Sequence, residues 1–178
     1  MLKRFPARNE IVPVYAVIAF FIQSWTIYKL FWQLPSLLNY LDLGVITGIF
    51  SYRIAVSFIE SLIVLVCLLL LCLVLPAGWL KDMFVARGTV GILVLLGLIA
   101  LFWNLFHARE PGLAMVDFAW IWLIGAFSLS WAIAYFLTKI KKLPGFVFGI
   151  ADRMIVFLYI LLPISAVSLF VVLIRNIN

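Results

Sequence analysis

Lys29 and Glu60 are the two side chains in this sequence whose type and position best suit them to chemistry. Each lies inside a long apolar segment, Lys29 six residues before Pro35 and Glu60 seven residues after Arg53. At 1.5 Å per helical residue, the two charges lie about 9 and 10 Å below the same end of two consecutive helices. Ionisable residues inside a membrane are costly, usually paired, and mark ion or substrate sites. We therefore expect an ion pair between Lys29 and Glu60.

The residues near this pair are polar at helical spacing. Gln23 lies on the same broad face of its helix as Lys29, and Ser57 precedes Glu60 by three residues. These four side chains predict a polar site that could take a proton, an ion or a substrate. A pair that only fixes helix register is the alternative, and Lys29 could also extend its ammonium to the headgroups. The shallow depth favours a structural role.

Four further polar residues are predicted near the same membrane surface. They are Asp42, Asn104, His107 and Asp117. Together they could line an outward-facing vestibule. Two carboxylates such as Asp42 and Asp117 could also share acid and base roles in a lipid-modifying or intramembrane enzyme. For Asn104, His107 and Asp117, the simpler interpretation is that residues near helix ends are polar because they contact water.

No motif for a metal or another cofactor is present. The sequence has one histidine and two cysteines, Cys67 and Cys72, five residues apart in one segment. Five helical residues rotate the two thiols about 140° apart, so they cannot pair within one helix. A structural zinc ion needs four ligands, which this set does not supply. We expect no metal and no cofactor.

Five apolar segments must position these residues. Their predicted limits are 12–34, 53–75, 88–106, 116–138 and 152–174. Each is close to the ~20 residues that cross a hydrocarbon core. The chain is 67% hydrophobic and 11% charged, whereas soluble domains average about 45–50% and about 25%. The sequence therefore predicts an all-α integral membrane protein, a compact bundle of five transmembrane helices forming a single domain over residues 1–178.

Lysine and arginine are distributed unevenly about these segments. Eight of the 13 lie before the first segment, between the second and third, or between the fourth and fifth, and a ninth, Arg153, lies at the very start of the fifth. Short loops rich in Lys and Arg stay cytoplasmic. This predicts an N-terminus inside and a C-terminus outside, in a cytoplasmic membrane of the bacterial type. The net charge of +6 then indicates anionic headgroups at the inner face and not nucleic acid.

The first outer connection, residues 35–52, is the longest and is rich in leucine and isoleucine. A segment this apolar is not expected to lie free in water. Backbone in contact with lipid must also satisfy its own hydrogen bonds, which favours a helix. We therefore expect a short interfacial or re-entrant helix in this connection.

Two features of the last two segments concern helix packing. Ala126, Ser130 and Ala134 recur every four residues, which is typical of a helix–helix contact face. That face could pack within this chain or against another. Pro163 lies near the middle of the fifth segment and lacks a backbone N–H, so it predicts a kink. Such kinks occur in static bundles as well as in transporters, and we favour a static one.

These observations favour a non-catalytic multi-pass membrane protein. Its expected role is an accessory, scaffold or anchoring subunit that binds a protein partner or a second copy of itself. A small transporter or channel using Lys29 and Glu60 is the alternative. The inner half of the segments has few polar residues to continue a pathway, which disfavours transport. An enzymatic role has the least support.

Overall fold

The computed structural model describes residues 5–76, 78–106, 113–140 and 142–177. Within these residues the protein has five long helices: α1 (Arg8–Tyr40), α2 (Leu43–Val74), α3 (Phe84–Phe106), α4 (Leu113–Leu137) and α5 (Leu143–Ile177). A 3₁₀ turn at Lys81–Met83 precedes α3. All five helices are long and apolar enough to cross a membrane. The protein is thus all-helical, with one such helix at each predicted segment, and its inside–outside orientation stays a prediction.

Three of the helices are longer than a bilayer core requires. α1, α2 and α5 contain 33, 32 and 35 residues, which corresponds to about 48–53 Å at 1.5 Å per residue. The hydrocarbon core is only about 30 Å thick. These helices therefore extend beyond the predicted segments.

The connection at residues 35–52 differs from the prediction. No separate helix is present in this described segment, because α1 continues to Tyr40 and α2 begins at Leu43, with only Leu41 and Asp42 between them. Pro35 lies inside α1 and does not end it. The backbone groups of this connection form their hydrogen bonds within the extended ends of α1 and α2, so a separate helix is not needed to satisfy them.

The helices are not equally central. α1, α2 and α5 pack against one another in pairs, and α3 packs against α1 and α5. α4 packs mainly against α3. The core is therefore a three-helix group to which α3 and then α4 are added.

Small side chains form much of the contact between α1, α2 and α5. The buried ones are Ala16, Ala19, Ser57, Ser61, Ser165 and Ser168. Small residues let helix backbones approach closely in lipid. The hydroxyls of Ser57, Ser61 and Ser165 donate to carbonyls three or four residues earlier in their own helices, at 2.7–2.9 Å. Burying these hydroxyls therefore leaves no unpaired donor.

An apolar cluster closes the bundle at the end nearer the turn between α2 and α3. It joins Val14 and Ile18 of α1 to Leu68 of α2 and to Phe84 and Ile92 of α3. Cys72 belongs to this cluster and Cys67 is exposed, and both are free thiols. Cys72 thus acts as a small packing residue.

Pro163 lies within one uninterrupted helix, α5. Pro163 leaves the Tyr159 carbonyl without its helical donor, whereas the Ser165 hydroxyl nearby donates to the Leu161 carbonyl at 2.8 Å. The kink predicted there stays a prediction.

Candidate functional site

Lys29 and Glu60 line the same groove between α1 and α2. Its volume is about 320 Å³. The other residues of this groove are Trp25, Thr26, Tyr52, Arg53, Val56 and Ser57. The structure therefore brings together three of the four residues predicted for the polar site.

The predicted ion pair between Lys29 and Glu60 is not formed. The Lys29 ammonium lies 5.1 Å from the centroid of the Trp25 ring, one helical turn earlier. This distance is typical of a cation–π contact. Glu60 is exposed, and no cation lies within 4.0 Å of its carboxylate among the described residues. The two charges share a groove, but each has a different environment.

Arg53 adds a second cation to this groove. Its Nη1 donates to Gln33 Oε1 of α1 at 2.6 Å, which ties α1 to α2 near the turn that connects them. The groove therefore holds two cations, Lys29 and Arg53, and one carboxylate, Glu60. An excess positive charge at the rim favours anionic or polar groups there.

A second cavity adjoins the first at Glu60. It has a volume of about 460 Å³ and is formed by α1, α2 and α3. Trp25, Thr26 and Glu60 belong to both cavities. Most of its other lining residues are apolar, such as Ile63 and Leu96. Glu60 is the one charged residue of this second lining, so its carboxylate faces a largely apolar cleft.

Gln23, predicted as part of the polar site, lies elsewhere. It is only 1% exposed and lines neither of these cavities. Its Oε1 accepts a hydrogen bond from Ser165 of α5 at 3.4 Å, while its Nε2 has no partner in the described part of the chain. Gln23 and Lys29 are six residues apart, which turns them about 120° from each other around the helix. Gln23 therefore belongs to the α1–α5 contact.

The structure does not assemble the predicted vestibule from the residues it describes. Asp42 is exposed and precedes α2, where its backbone carbonyl accepts from Val45 and Ile46. Asn104 is exposed near the end of α3. Neither lines the cavities at Glu60. His107 and the side chain of Asp117 lie outside the described residues, so the vestibule stays a prediction.

The small residues of α4 form a buried face. Ala126, Ser130 and Ala134 are 4%, 0% and 0% exposed. The Ser130 hydroxyl donates to the Phe127 carbonyl at 2.8 Å. Since α4 packs mainly on α3, this face serves packing inside the chain. It is not free to bind another protein.

Arg87 is a buried charge that sequence reasoning missed. It is only 9% exposed and lies in the first turn of α3, three residues after Phe84, where the helix begins. Nε donates to Thr138 Oγ1 at 3.1 Å, and Nη1 donates to the carbonyls of Gly78 and Trp79. The guanidinium thus joins the turn before α3 to the end of α4.

A sequence signal for this position was present. Arg87 follows Phe84, Val85 and Ala86 and precedes Gly88, so apolar and small residues flank it on both sides. Because a charged residue usually lies in a loop, the predicted third segment begins directly after Arg87, at residue 88. The apolar residues before it indicate that the helix begins earlier and carries Arg87 inside.

The described residues offer no metal centre, since they contain no group of three or more His, Cys, Asp or Glu side chains that could hold an ion. Within the described residues, the groove at Glu60 and the surroundings of Arg87 are polar places in an otherwise apolar bundle. Comparisons with protein-family models, with curated proteins and with solved structures found no significant match.

Proposed function

We propose that this chain is a non-catalytic accessory, scaffold or anchoring subunit of a larger membrane assembly. The observation that carries this proposal is the exposed carboxylate of Glu60. It lies near the middle of α2 and has no cation within 4.0 Å in the described ranges. Charges inside a membrane face a bundle interior or a polar cavity and are usually paired. A transmembrane helix from a partner protein would provide that pairing.

The shape of the cleft supports a helical partner. Its walls come from three helices and are apolar apart from Glu60, Thr26 and the ring nitrogens of Trp25 and Trp103. Ile63, on the helical turn after Glu60, is exposed along this cleft. An apolar helix with one Lys, Arg or amide side chain at the depth of Glu60 has the complementary chemistry. A second copy of this chain is the other partner that we consider.

A site-specific crosslinking experiment tests this proposal. A photoreactive amino acid replaces Ile63, which lines the cleft, or Val167, which is exposed on α5. In native membranes we expect the first variant to crosslink to one discrete polypeptide and the second to give no such product. Adding Glu60→Gln to the first variant should abolish or strongly reduce that product. A partner helix in the cleft would be contradicted if both positions gave equal amounts of crosslinked product. It would also be contradicted if Glu60→Gln left the amount of product unchanged.

A transporter or channel is the second candidate. The observation in its favour is that two cavities meet at Glu60, with Lys29 and Arg53 at the outer rim. A carboxylate at such a junction could carry a proton between them. The test is the decay of a pH gradient across liposomes that contain the purified protein. Transport predicts a decay that Glu60→Gln removes, whereas an accessory subunit leaves the gradient intact in both cases.

The orientation and the location belong to the same proposal. We infer that the N-terminus is cytoplasmic and the C-terminus outside, in a cytoplasmic membrane of the bacterial type, from the uneven placement of Lys and Arg. In this orientation the Glu60 cleft opens toward the outer half of the bilayer. The Arg87 end of the bundle faces the cytoplasm and its anionic headgroups.

A further inference from the structure

The cavity beside Arg87 combines an apolar volume with one charged group. It measures about 510 Å³ and is lined by the end of α2, the following turn, the start of α3 and one side of α4. This volume falls within the range of about 300–1,000 Å³ that is typical of ligand pockets. Most lining residues are apolar or aromatic, including Leu71, Leu75, Phe127 and Trp131. Arg87 is the one charged residue among them.

The charge of Arg87 is not neutralised by the groups that hold it. Its three hydrogen bonds go to the Thr138 hydroxyl and to two backbone carbonyls, all uncharged. Asp82 has a carboxylate oxygen close to Gly78, yet no carboxylate forms an ion pair with Arg87 within 4.0 Å in the described part of the chain. Nη2 has no hydrogen-bond acceptor there either. A buried cation without a counter-ion is costly, and an anion beside Arg87 would offset that cost.

The rim of the cavity matches the headgroup layer of a membrane. The Tyr135 ring lies 5.3 Å from the Arg87 guanidinium carbon and 4.5 Å from the Lys139 ammonium. Trp79 stacks on Tyr135 at 5.5 Å between ring centroids. Tryptophan and tyrosine are enriched at the level of the headgroups. Two cations beside one such ring are groups that would attract a lipid phosphate at this level.

We propose that this cavity binds one anionic phospholipid. The phosphate accepts hydrogen bonds from Arg87 Nη2 and attracts Lys139, while an acyl chain lies along α4 from Tyr135 toward Phe127. These two residues are eight apart, a distance of about 12 Å along the helix. Ser128 and Ala132, which are exposed and line the cavity, leave its side open to the bilayer. Basic pockets between helices on the cytoplasmic side are typical sites for such lipids. This site is independent of the proposed role of Glu60, and only its place on the cytoplasmic side rests on the proposed orientation.

Native mass spectrometry of the whole protein tests the proposal, using phosphatidylglycerol and phosphatidylcholine with the same acyl chains. We expect one phosphatidylglycerol to remain bound under conditions that release phosphatidylcholine. Lys139→Gln should weaken the retained binding by about fivefold, since a basic residue near an anionic surface contributes about that much. Lys139 is exposed, so this change leaves the packing intact.

A cavity-filling pair of variants separates the site from general lipid adhesion. Ala132→Phe places a ring in the cavity, whereas Ala166→Phe places the same ring on an exposed position of α5 that lines none of these cavities. We expect at least tenfold weaker phosphatidylglycerol binding for Ala132→Phe and unchanged binding for Ala166→Phe.

Three outcomes would overturn this proposal. One is equal retention of both lipids, and another is equal loss in the two phenylalanine variants. The third is displacement of the lipid by glycerol phosphate at the same concentration, because it would mean that the apolar cavity contributes nothing and that a free phosphate is the real ligand.

Discussion

The guanidinium of Arg175 on α5 occupies the space beside Gly48 on α2 in which any other residue would place its Cβ atom. The same guanidinium lies 3.4 Å from the Gly44 carbonyl. Nearby, the Asn176 amide donates to the Tyr52 hydroxyl at 2.7 Å. These contacts join the start of α2 to the end of α5. They explain why the two helices continue together beyond the predicted apolar segments.

Gly48 and Gly91 should respond differently to alanine. At Gly48 the group in the way is the flexible end of Arg175, which can move aside. At Gly91 the new methyl would lie 3.1 Å from the Trp131 ring, which is held in the α3–α4 contact. Alanine favours a helix by about 1 kcal/mol over glycine at either position. At Gly91 we expect overpacking, which costs about 1–3 kcal/mol, to exceed this gain. At Gly48 the loss of the Arg175 contact should about cancel it, so Gly48→Ala should be near neutral.

Thermal unfolding in detergent measures this difference. The melting temperature of Gly91→Ala should fall below that of the parent, while that of Gly48→Ala stays close to it. A larger loss at Gly48 than at Gly91 would mean that Arg175 is fixed in place and that the end of α5 is rigid.

The buried face of α4 should be intolerant of larger residues. Ala126 is 4% exposed and, unlike Ala134, lines none of the cavities described above, so Ala126→Leu should push α4 away from the helix it packs against. We expect a loss of about 1–3 kcal/mol from such overpacking. Ala166→Leu, at an exposed position of α5, is the matched control and should be neutral. Equal stability of the two leucine variants, by the same melting assay, would show that this face is free and available to a partner.

Arg87 should stabilise the turn before α3. Arg87→Gln removes the charged donor to the carbonyls of Gly78 and Trp79, and hydrogen bonds to a charged group contribute about 1.5–3 kcal/mol. Thr138→Val removes the acceptor of Nε and the hydroxyl's donation to the Ala134 carbonyl but keeps both hydrogen bonds of Nη1, so we expect a smaller loss. The double variant should lose less than the sum, because the two residues share a hydrogen bond. Urea unfolding of the four proteins measures this coupling, and strict additivity would contradict the contact.

Lys29 and Glu60 should be energetically independent. Since no ion pair joins them and Lys29 lies over Trp25, the double-mutant cycle of Lys29→Met and Glu60→Gln should give a coupling below about 0.5 kcal/mol. Unfolding of the purified protein in detergent gives the four free energies that are needed. A coupling above about 1 kcal/mol would mean that the pair predicted from the sequence forms in the membrane after all, and that Glu60 needs no external partner.

Sequence patterns predicted the helices better than the sites. Five apolar stretches of spanning length suffice to place five helices, because lipid forces each backbone to satisfy its own hydrogen bonds. Helix ends were less predictable, since α1 runs to Tyr40 and α5 begins at Leu143, well outside the apolar limits. A helix continues where a neighbouring helix packs against it. This packing depends on residues far away in the sequence, such as Arg175, which contacts the start of α2.

Which side chains meet in a site depends on where each residue points around its helix axis and on contacts between residues that are far apart in the sequence. Lys29 and Glu60 share a groove because their helices are adjacent, as the chain order suggests. Gln23 does not join them, because a turn of about 120° separates it from Lys29. Arg87 was counted as a loop cation, since its acceptors at Gly78, Trp79 and Thr138 can be recognised only once the turn and α4 are folded beside it.

The orientation of the bundle is open to a direct labelling test. The background is Cys67→Ser with Cys72→Ser, which removes both native thiols. A single cysteine then replaces Lys142, an exposed residue at the start of α5, or is added after the C-terminus. With five crossings and a cytoplasmic N-terminus, an impermeant maleimide applied to intact cells should label the C-terminal cysteine and not the one at position 142. Labelling of position 142 alone would invert the orientation and place the Arg87 cavity in the outer leaflet. Labelling of both positions, or of neither until the cells are opened, would mean that α5 does not cross the membrane.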